Sequence, residues 1–351
     1  MALKRAGVFI LAIADVLATS YAQHPAPAPQ PASTAIHLNV AVTSKSGSLV
    51  SDLTQQDFTL LDNKQPRPIT SFKIVQAAQE PVEVILLLDA VNANYQTVAY
   101  ARLGMEKFFR SNEGKLRYPT TFAVLGDKGA QIYGGFTKDG NASSDALEKF
   151  PMSLREIHRG SEWGGYDQLQ ISLTAMQQLI AYASTLPGRK IVLWVSPGWP
   201  LLSGPRVDLD TKQENQFFDQ IVGFSTQMRL ANVTLYDTNP LGGNESIMLQ
   251  DGYEAYLNGV SKPSQVMPGN IALQVLATES GGLSIQGNSD IAEMIERSLA
   301  DAESWYEIEF EAPPPDKPNA YHRLEIKIDK PGLTARTRAN YYSKPTPTVT
   351  H

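Results

Sequence analysis

The most informative hydrophobic pattern in the chain is the run at residues 82–88, which is apolar except for Glu83 and ends at Asp89. A strand that is apolar on both sides belongs in a sheet that is covered on both faces. A carboxylate at the carboxyl end of such a strand stands where open α/β sheets bind their ligands. The pattern therefore predicts a buried central strand and a ligand-binding edge, without naming the ligand.

After this strand, helices and strands alternate along the chain. Apolar residues recur at helical spacing within residues 98–110 and 168–183, so both segments are predicted helices. Further helices are predicted over residues 212–230, 271–279 and 290–302. The strands expected between the helices cover residues 120–127, 130–137, 189–196, 233–236 and 283–285. This alternation predicts an α/β unit at residues 80–303 with a doubly wound, mainly parallel sheet.

The segments on either side of this unit have the pattern of β-strands. Three strands are expected within residues 36–75, and three more over residues 305–312, 321–329 and 333–342. Three strands are too few to bury a core alone. Residues 36–77 and 304–342 are therefore predicted to form one β-sandwich, with the α/β unit inserted between its two parts. Residues 343–351 are expected to be a disordered tail.

Composition narrows the classes of function. The chain has 351 residues, 42% of them hydrophobic and 19% charged, which is typical of a globular protein long enough for two domains. Its net charge of -6 is spread along the chain, so no nucleic-acid partner is expected. Cysteine is absent, which excludes disulfides, thiol nucleophiles and cysteine-ligated metal centres.

The first 22 residues have the parts of a cleavable signal peptide. These are basic Lys4 and Arg5, an apolar stretch over residues 6–19, and a cleavage site at Ala22-Gln23. An uncleaved anchor is the alternative, although the stretch is short for a bilayer span. Residues 23–35 are rich in proline and alanine and are expected to be an extended linker. The mature chain is therefore predicted to be secreted or periplasmic, without a transmembrane span.

The order of several motifs resembles that of the bacterial, acidobacterial-type VWFA-related proteins, which contain a von Willebrand factor A-like (vWA-like) domain. The motifs are SLVSDLTQQDFTLLDNKQPRPITSF, VEVILLLDA, GGYDQLQISL, RKIVLWVSPGWP, VTLYDTNPLGG and YHRLEIKIDKPGLTARTRANYY. The resemblance covers residues 36–342. It implies a Rossmann-like sheet flanked by helices, with a metal-ion-dependent adhesion site at the top of the sheet.

In that family the adhesion site normally reads D-x-S-x-S after the first strand, with a threonine from a second loop and an aspartate from a third. Asp89 matches the first aspartate. Val91 and Ala93 stand at the serine positions, Tyr166 at the threonine and Pro197 at the last aspartate. Mg²⁺ requires oxygen ligands in near-octahedral geometry, and most of them are missing here. The resemblance therefore implies a degenerate adhesion site without a bound metal.

Seven residues around this edge are candidates for binding a partner, and none is assigned to catalysis or to a metal. They are Asp89, Asn92, Asn94, Trp163, Tyr166, Asp167 and Trp199. Asp89 has an alternative role as a cap of the turn that follows its strand, and the two asparagines have one as turn and helix-start residues. Trp199 is either packed beneath its proline-flanked loop or presented as a binding anchor.

Three functions compete at this point. The leading hypothesis is an exported, non-enzymatic interaction or adhesion module that binds an unknown protein in the periplasm or extracellular space. The alternative is divalent-cation-dependent binding, with Mg²⁺, Mn²⁺ or Ca²⁺ held by Asp89, Asn92, Asn94 and Asp167. The least favoured hypothesis is an enzyme acting on the cell envelope, because the five histidines lack metal-ligand spacing and Ser196 lacks the Gly-x-Ser-x-Gly elbow.

Overall fold

The computed structural model describes residues 35–150, 162–200, 209–241, 252–286 and 290–343. The predicted signal peptide lies outside the described residues, as does the predicted linker except for Ala35. Of the predicted tail, only Ser343 is described. Its Oγ accepts a hydrogen bond from the backbone N–H of Ala320 at 2.9 Å, so Ser343 is held against the folded part of the chain.

The strands are labelled in chain order. They are β1 Ala35–Ser44, β2 Phe58–Asp62, β3 Gln65–Arg67, β4 Ser71–Gln76, β5 Val82–Asp89, β6 Lys115–Gly126, β7 Gly129–Asp139, β8 Arg189–Val195, β9 Val233–Thr238, β10 Ser284–Ile285, β11 Ser304–Glu311, β12 Tyr321–Ile328, β13 Leu333–Arg336 and β14 Asn340–Tyr342.

The helices are labelled in the same way. They are α1 Tyr95–Arg110, α2 Gly140–Lys149, α3 Glu162–Ala183, α4 Thr211–Leu230, α5 Leu273–Glu279 and α6 Ile291–Ala300. Short 3₁₀ helices occupy Gln55–Asp57, Ser111–Gly114, Glu254–Tyr256, Pro263–Gln265 and Pro268–Ile271. None of the helices in the described ranges is both long and apolar enough to cross a membrane.

The central sheet has six strands in the order β10-β9-β8-β5-β6-β7. All neighbours are parallel except β6 and β7, which form an antiparallel hairpin. Helices α3, α4 and α5 cover one face of the sheet and α1, α2 and α6 cover the other, each through a separate apolar core. The predicted mainly parallel sheet with β5 at its centre is confirmed.

Two antiparallel sheets combine strands from both ends of the chain, as predicted. Their orders are β13-β1-β11-β4 and β14-β12-β2-β3. Strand β1 pairs with β11 from Ala35 opposite Glu311 to Val40 opposite Tyr306. Inward residues of both sheets form one apolar core, which includes Leu38, Leu60, Tyr306, Phe310, Leu324 and Tyr341. The two sheets therefore form a composite β-sandwich.

Several predicted boundaries are wrong for local reasons. Helix α3 begins at Glu162 and not at residue 168, so Gly164 and Gly165 lie in a helix and not in a loop. Helix α2 was not predicted, because it buries only one large apolar side chain; its N-cap Asp139 accepts a hydrogen bond from the N–H of Ala142 at 3.0 Å. The predicted strand at 333–342 is divided between the two antiparallel sheets.

Candidate functional site

The carboxylate of Asp89 lies at the carboxyl end of β5 and is only 1% exposed. Oδ1 accepts hydrogen bonds from the backbone N–H groups of Val91 and Asn92, both at 2.9 Å. Oδ2 accepts from Asn92 Nδ2 at 2.8 Å, Trp194 Nε1 at 3.0 Å and Ser196 Oγ at 2.8 Å. Five donors therefore surround the two oxygens, and the role of this carboxylate is to hold the turn and β8 in place.

The two candidate asparagines also serve the local structure. Asn92 Nδ2 donates to Ser172 Oγ on α3 at 2.8 Å as well as to Asp89, so the amide nitrogen and not the oxygen faces the carboxylate. Asn94 is the N-cap of α1, and its Oδ1 accepts from the N–H of Thr97 at 2.8 Å. An N-cap of this kind satisfies one of the free donors at the helix start.

Tyr166 and Asp167 lie in the early turns of α3, where both are exposed, Tyr166 by 51%. The next residue, Gln168, is buried and donates from Nε2 to the carbonyl oxygen of Val91 at 2.9 Å. This bond fastens the start of α3 to the turn after Asp89. Trp163 belongs to the same helix, but its side chain lies outside the described residues.

Trp199 is buried, with 4% of its surface exposed, so it is not presented as a binding anchor. Its ring packs edge-on against Trp194 at a centroid distance of 5.4 Å. Gly198, with φ +101, makes the reversal that turns the indole inward, and its N–H donates to Ser196 Oγ at 3.1 Å. Of the two alternatives for Trp199, the structure therefore supports packing beneath the loop.

Two residues at this edge were missed by the sequence reasoning. Tyr95 is the first residue of α1 and is 71% exposed, the highest value among the exposed large hydrophobic residues of the described chain. Its position directly after the N-cap Asn94 was the available signal. Asp237, near the end of β9, is fully buried, and its available sequence signal was its position directly after the strand predicted at residues 233–236.

Asp237 is a second carboxylate at the same edge of the sheet. Its Oδ2 accepts a hydrogen bond from Ser284 Oγ at 2.7 Å, and its Oδ1 has no hydrogen-bond partner among the described residues. Burial raises the pKa of Asp237 to about 7; the Ser284 hydrogen bond opposes this change, and the charge of Asp89 adds to it. Within the described ranges, no group of three or more His, Cys, Asp or Glu side chains could hold a metal ion.

Comparison with known proteins gives fold similarities only. No protein-family model matches the chain, and no curated protein matches it. Among solved structures it is similar to proximal thread matrix protein 1 from the mussel byssus, with 11% identity and a TM-score of 0.36 over 69% of this chain and 51% of that one. The chain thus spans about half of the mussel structure.

Two further similar structures are a manganese-loaded protein and a VWA domain. Manganese-loaded TRAP protein of Plasmodium vivax is 9% identical, with a TM-score of 0.34 over 82% of this chain and 100% of that one. The SpRpn10 VWA domain is 14% identical, with a TM-score of 0.30 over 64% of this chain and 97% of that one. At such identities and TM-scores these similarities carry no conclusion about ligand or activity, and the fold class rests on the strand order given above.

Proposed function

We propose that this chain is an exported, non-enzymatic protein-interaction module that contacts its partner at the carboxyl-end edge of the central sheet without a bound metal. We call the exposed surface there the upper face. It consists of Asn94, Tyr95 and Gln96 at the start of α1 and Tyr166 and Asp167 at the start of α3. Net charge makes a nucleic-acid partner unsuitable, and the predicted signal peptide supports a partner outside the cytoplasm.

The observation that carries this proposal is the pair of exposed tyrosines, Tyr95 and Tyr166, on two helix starts that are fastened together. The bonds from Gln168 to Val91 and from Asn92 to Ser172 join these helix starts through the turn after Asp89. Tyrosine rings bury a large area at small entropic cost, which is why they are enriched in interfaces. Because their supports are hydrogen-bonded, the two rings are displayed on a pre-organised surface.

Asp89 and Asn94, two of the residues that would hold a cation in the alternative hypothesis, already accept hydrogen bonds within the protein, which favours binding without a metal. A cation bound to either oxygen of Asp89 would have to compete with the donors already on that oxygen, which for Oδ2 include the buried indole N–H of Trp194. Each buried donor left without a partner costs about 1–3 kcal/mol. Asn94 Oδ1 is engaged as an N-cap, which leaves Asn92 Oδ1 and the exposed carboxylate of Asp167 as the candidate oxygens without a hydrogen bond from the described residues.

The absence of catalysis is part of the same proposal. Ser196 Oγ donates to a carboxylate and accepts from Gly198 N–H, so this hydroxyl is a link in the loop structure. His322, the buried histidine of the described chain, bonds through Nδ1 to Asp62 within the β-sandwich. The carboxylate that accepts from Ser196 is that of Asp89, which is buried and already carries four other hydrogen bonds.

The test is site-specific photocrosslinking in cells that make the protein. Variants Tyr166→p-benzoylphenylalanine and Leu230→p-benzoylphenylalanine are compared, because Leu230 is a 60% exposed apolar residue at the end of α4, at the other edge of the sheet. The proposal expects a discrete adduct from position 166 that is absent from position 230 and is lost with Tyr95→Ala. No adduct at position 166, or the same adduct from both positions, would overturn it.

A further inference from the structure

A small cavity of about 20 Å³ lies at the opposite edge of the central sheet, where β8 and β9 begin. Strands β1 and β13 of the β-sandwich complete its wall. Four arginines line it: Arg189, Arg229, Arg336 and Arg338. They come from the start of β8, the last turn of α4, the end of β13 and the segment that follows β13.

The four guanidinium groups are not matched by carboxylates. Arg336 forms an ion pair with Asp301, and Glu279 is the acidic group whose charge acts on Arg338. Arg189 donates to the carbonyl oxygen of Asp301 at 3.0 Å and lies over the Trp305 ring at 4.9 Å.

Arg229 has no ion pair and no hydrogen bond with the described residues. Four arginines therefore face two carboxylates. The carboxyl-terminal ends of α4 and α5 add only about half a negative charge each, so an excess of positive charge remains.

Unpartnered donors point to a ligand in this cavity. Arg189 is 4% exposed, and its Nε has no hydrogen-bond partner among the described residues. The same is true of the buried Nε of Arg229 and Oγ1 of Thr337, which also line the cavity. Buried polar groups in folded proteins nearly always have a partner. An acceptor with negative charge would satisfy these donors and the excess charge together.

Repulsion by Arg229 contributes to a lowered pKa of Arg338. Burial, followed by the positive charge of Arg229, lowers the pKa of Arg338 to about 9, and the charge of Glu279 opposes this change. Burial also lowers the pKa of Arg229. With a pKa of about 9, Arg338 remains protonated at neutral pH. A bound anion would relieve this repulsion, because it places a negative charge among the four guanidinium groups.

We propose that this cavity binds one small inorganic anion and thereby fastens the β-sandwich to the central sheet. Guanidinium groups bind oxyanions such as phosphate and sulfate through paired N–H donors. A cavity of about 20 Å³ has room for one or two water-sized groups, since one water needs roughly 10–15 Å³. The ligand class is therefore a small inorganic anion, of which chloride matches this space best, and nucleotides and sugar phosphates are too large.

The test titrates the full chain with sodium phosphate, sulfate or chloride, at constant ionic strength maintained with sodium gluconate. A ligand that binds only the folded state raises Tm with the logarithm of its concentration. At least one of the three anions is expected to raise the Tm of the wild type at millimolar concentration, and calorimetric titration should give one site per chain. No Tm shift and no heat with any of them would overturn the proposal.

Two arginine variants distinguish a role of Arg229 in anion binding from a purely structural role. Arg229→Gln should abolish the anion-dependent Tm shift, whereas Arg323→Gln, at an exposed position outside the cavity, should retain it. In gluconate alone, Arg229→Gln should be at least as stable as the wild type, because it removes a charge that repels Arg338. Equal anion shifts in wild type and Arg229→Gln would contradict the assignment, as would a large loss of stability in gluconate.

Discussion

The indole Nε1 of Trp194 donates a hydrogen bond to Oδ2 of Asp89 at 3.0 Å. Trp194 is fully buried on β8, next to β5, and a buried indole N–H requires an acceptor. Asp89 supplies it at the carboxyl end of β5. The bond joins the two central strands at their carboxyl ends, so the carboxylate stabilises this edge of the sheet.

Asp89→Ala should lower the free energy of unfolding by about 3–5 kcal/mol, because it leaves several buried hydrogen-bond donors without an acceptor. The indole of Trp194 and the hydroxyl of Ser196 would both lose their acceptor. Denaturant unfolding measures the loss. Asp167→Ala, an exposed carboxylate on α3, is the matched control and should change stability by less than about 0.5 kcal/mol. Equal, small effects of the two substitutions would show that the Asp89 network is not structural.

Trp199→Ala should reduce stability by about 3–5 kcal/mol through loss of core packing against Trp194. Trp199→Phe keeps an aromatic ring and removes an indole N–H that has no partner among the described residues, so its cost should be smaller. Partner capture by Trp199→Phe should equal that of the wild type, because the side chain is buried. A loss of partner capture in a stable, folded Trp199→Phe variant would show that Trp199 contacts the partner.

Asp237 should make stability depend on pH. Burial raises its pKa to about 7, whereas the ordinary value is 3.8, so the folded chain retains a proton that the unfolded chain releases between these values. The contribution of Asp237 to the free energy of unfolding is therefore full below the lower value and is lost as pH rises through about 7.

The stability of wild type relative to Asp237→Asn should thus fall between about pH 5 and pH 8, by at least roughly 1 kcal/mol, since one pKa unit corresponds to about 1.4 kcal/mol. Urea unfolding at several pH values measures this difference. Glu279, whose pKa burial also raises to about 7, is present in both proteins and cancels in the comparison. A difference that stays constant across this range would mean that Asp237 is ionised throughout.

Gly282→Ala should be strongly destabilising. A Cβ at this position would lie 1.8 Å from the carbonyl oxygen of Leu235, and a backbone group of β9 has little freedom to move away. The expected loss is at least about 2 kcal/mol. Gly223 in α4 has open space around the corresponding position, so Gly223→Ala should stabilise by about 0.5–1 kcal/mol. Similar thermal midpoints for the two variants would contradict the close approach of Gly282 to the carbonyl oxygen of Leu235.

The hydrophobic pattern predicted the central sheet because a strand that is buried on both faces, such as β5, is apolar at nearly every position. The composite β-sandwich was predicted because the three strands on either side of the α/β unit are too few to bury a core alone. The start of α3 was harder to predict, since Gly164 and Gly165 are weak helix formers, and tertiary contacts of Gln168 support the helix there.

The burial of Trp199 could not be predicted from its neighbours, because it depends on the positive φ of Gly198 and on a partner, Trp194, in another part of the motif. The candidate carboxylate Asp89 was located correctly by its strand. Its five donors come from residues 91, 92, 194 and 196, and their convergence is a property of the folded edge. Which side chains remain exposed at this edge is therefore known only from the structure.

The most direct test of metal-free binding at the upper face is the dissociation constant for the partner captured at Tyr166, measured in EDTA and again in Mg²⁺, Mn²⁺ and Ca²⁺. The values should agree, and Tyr95→Ala with Tyr166→Ala should weaken binding by at least about 30-fold, since an aromatic hot spot is worth about 2 kcal/mol. Binding that requires a divalent cation, or that persists unchanged in the double variant, would contradict the proposed function.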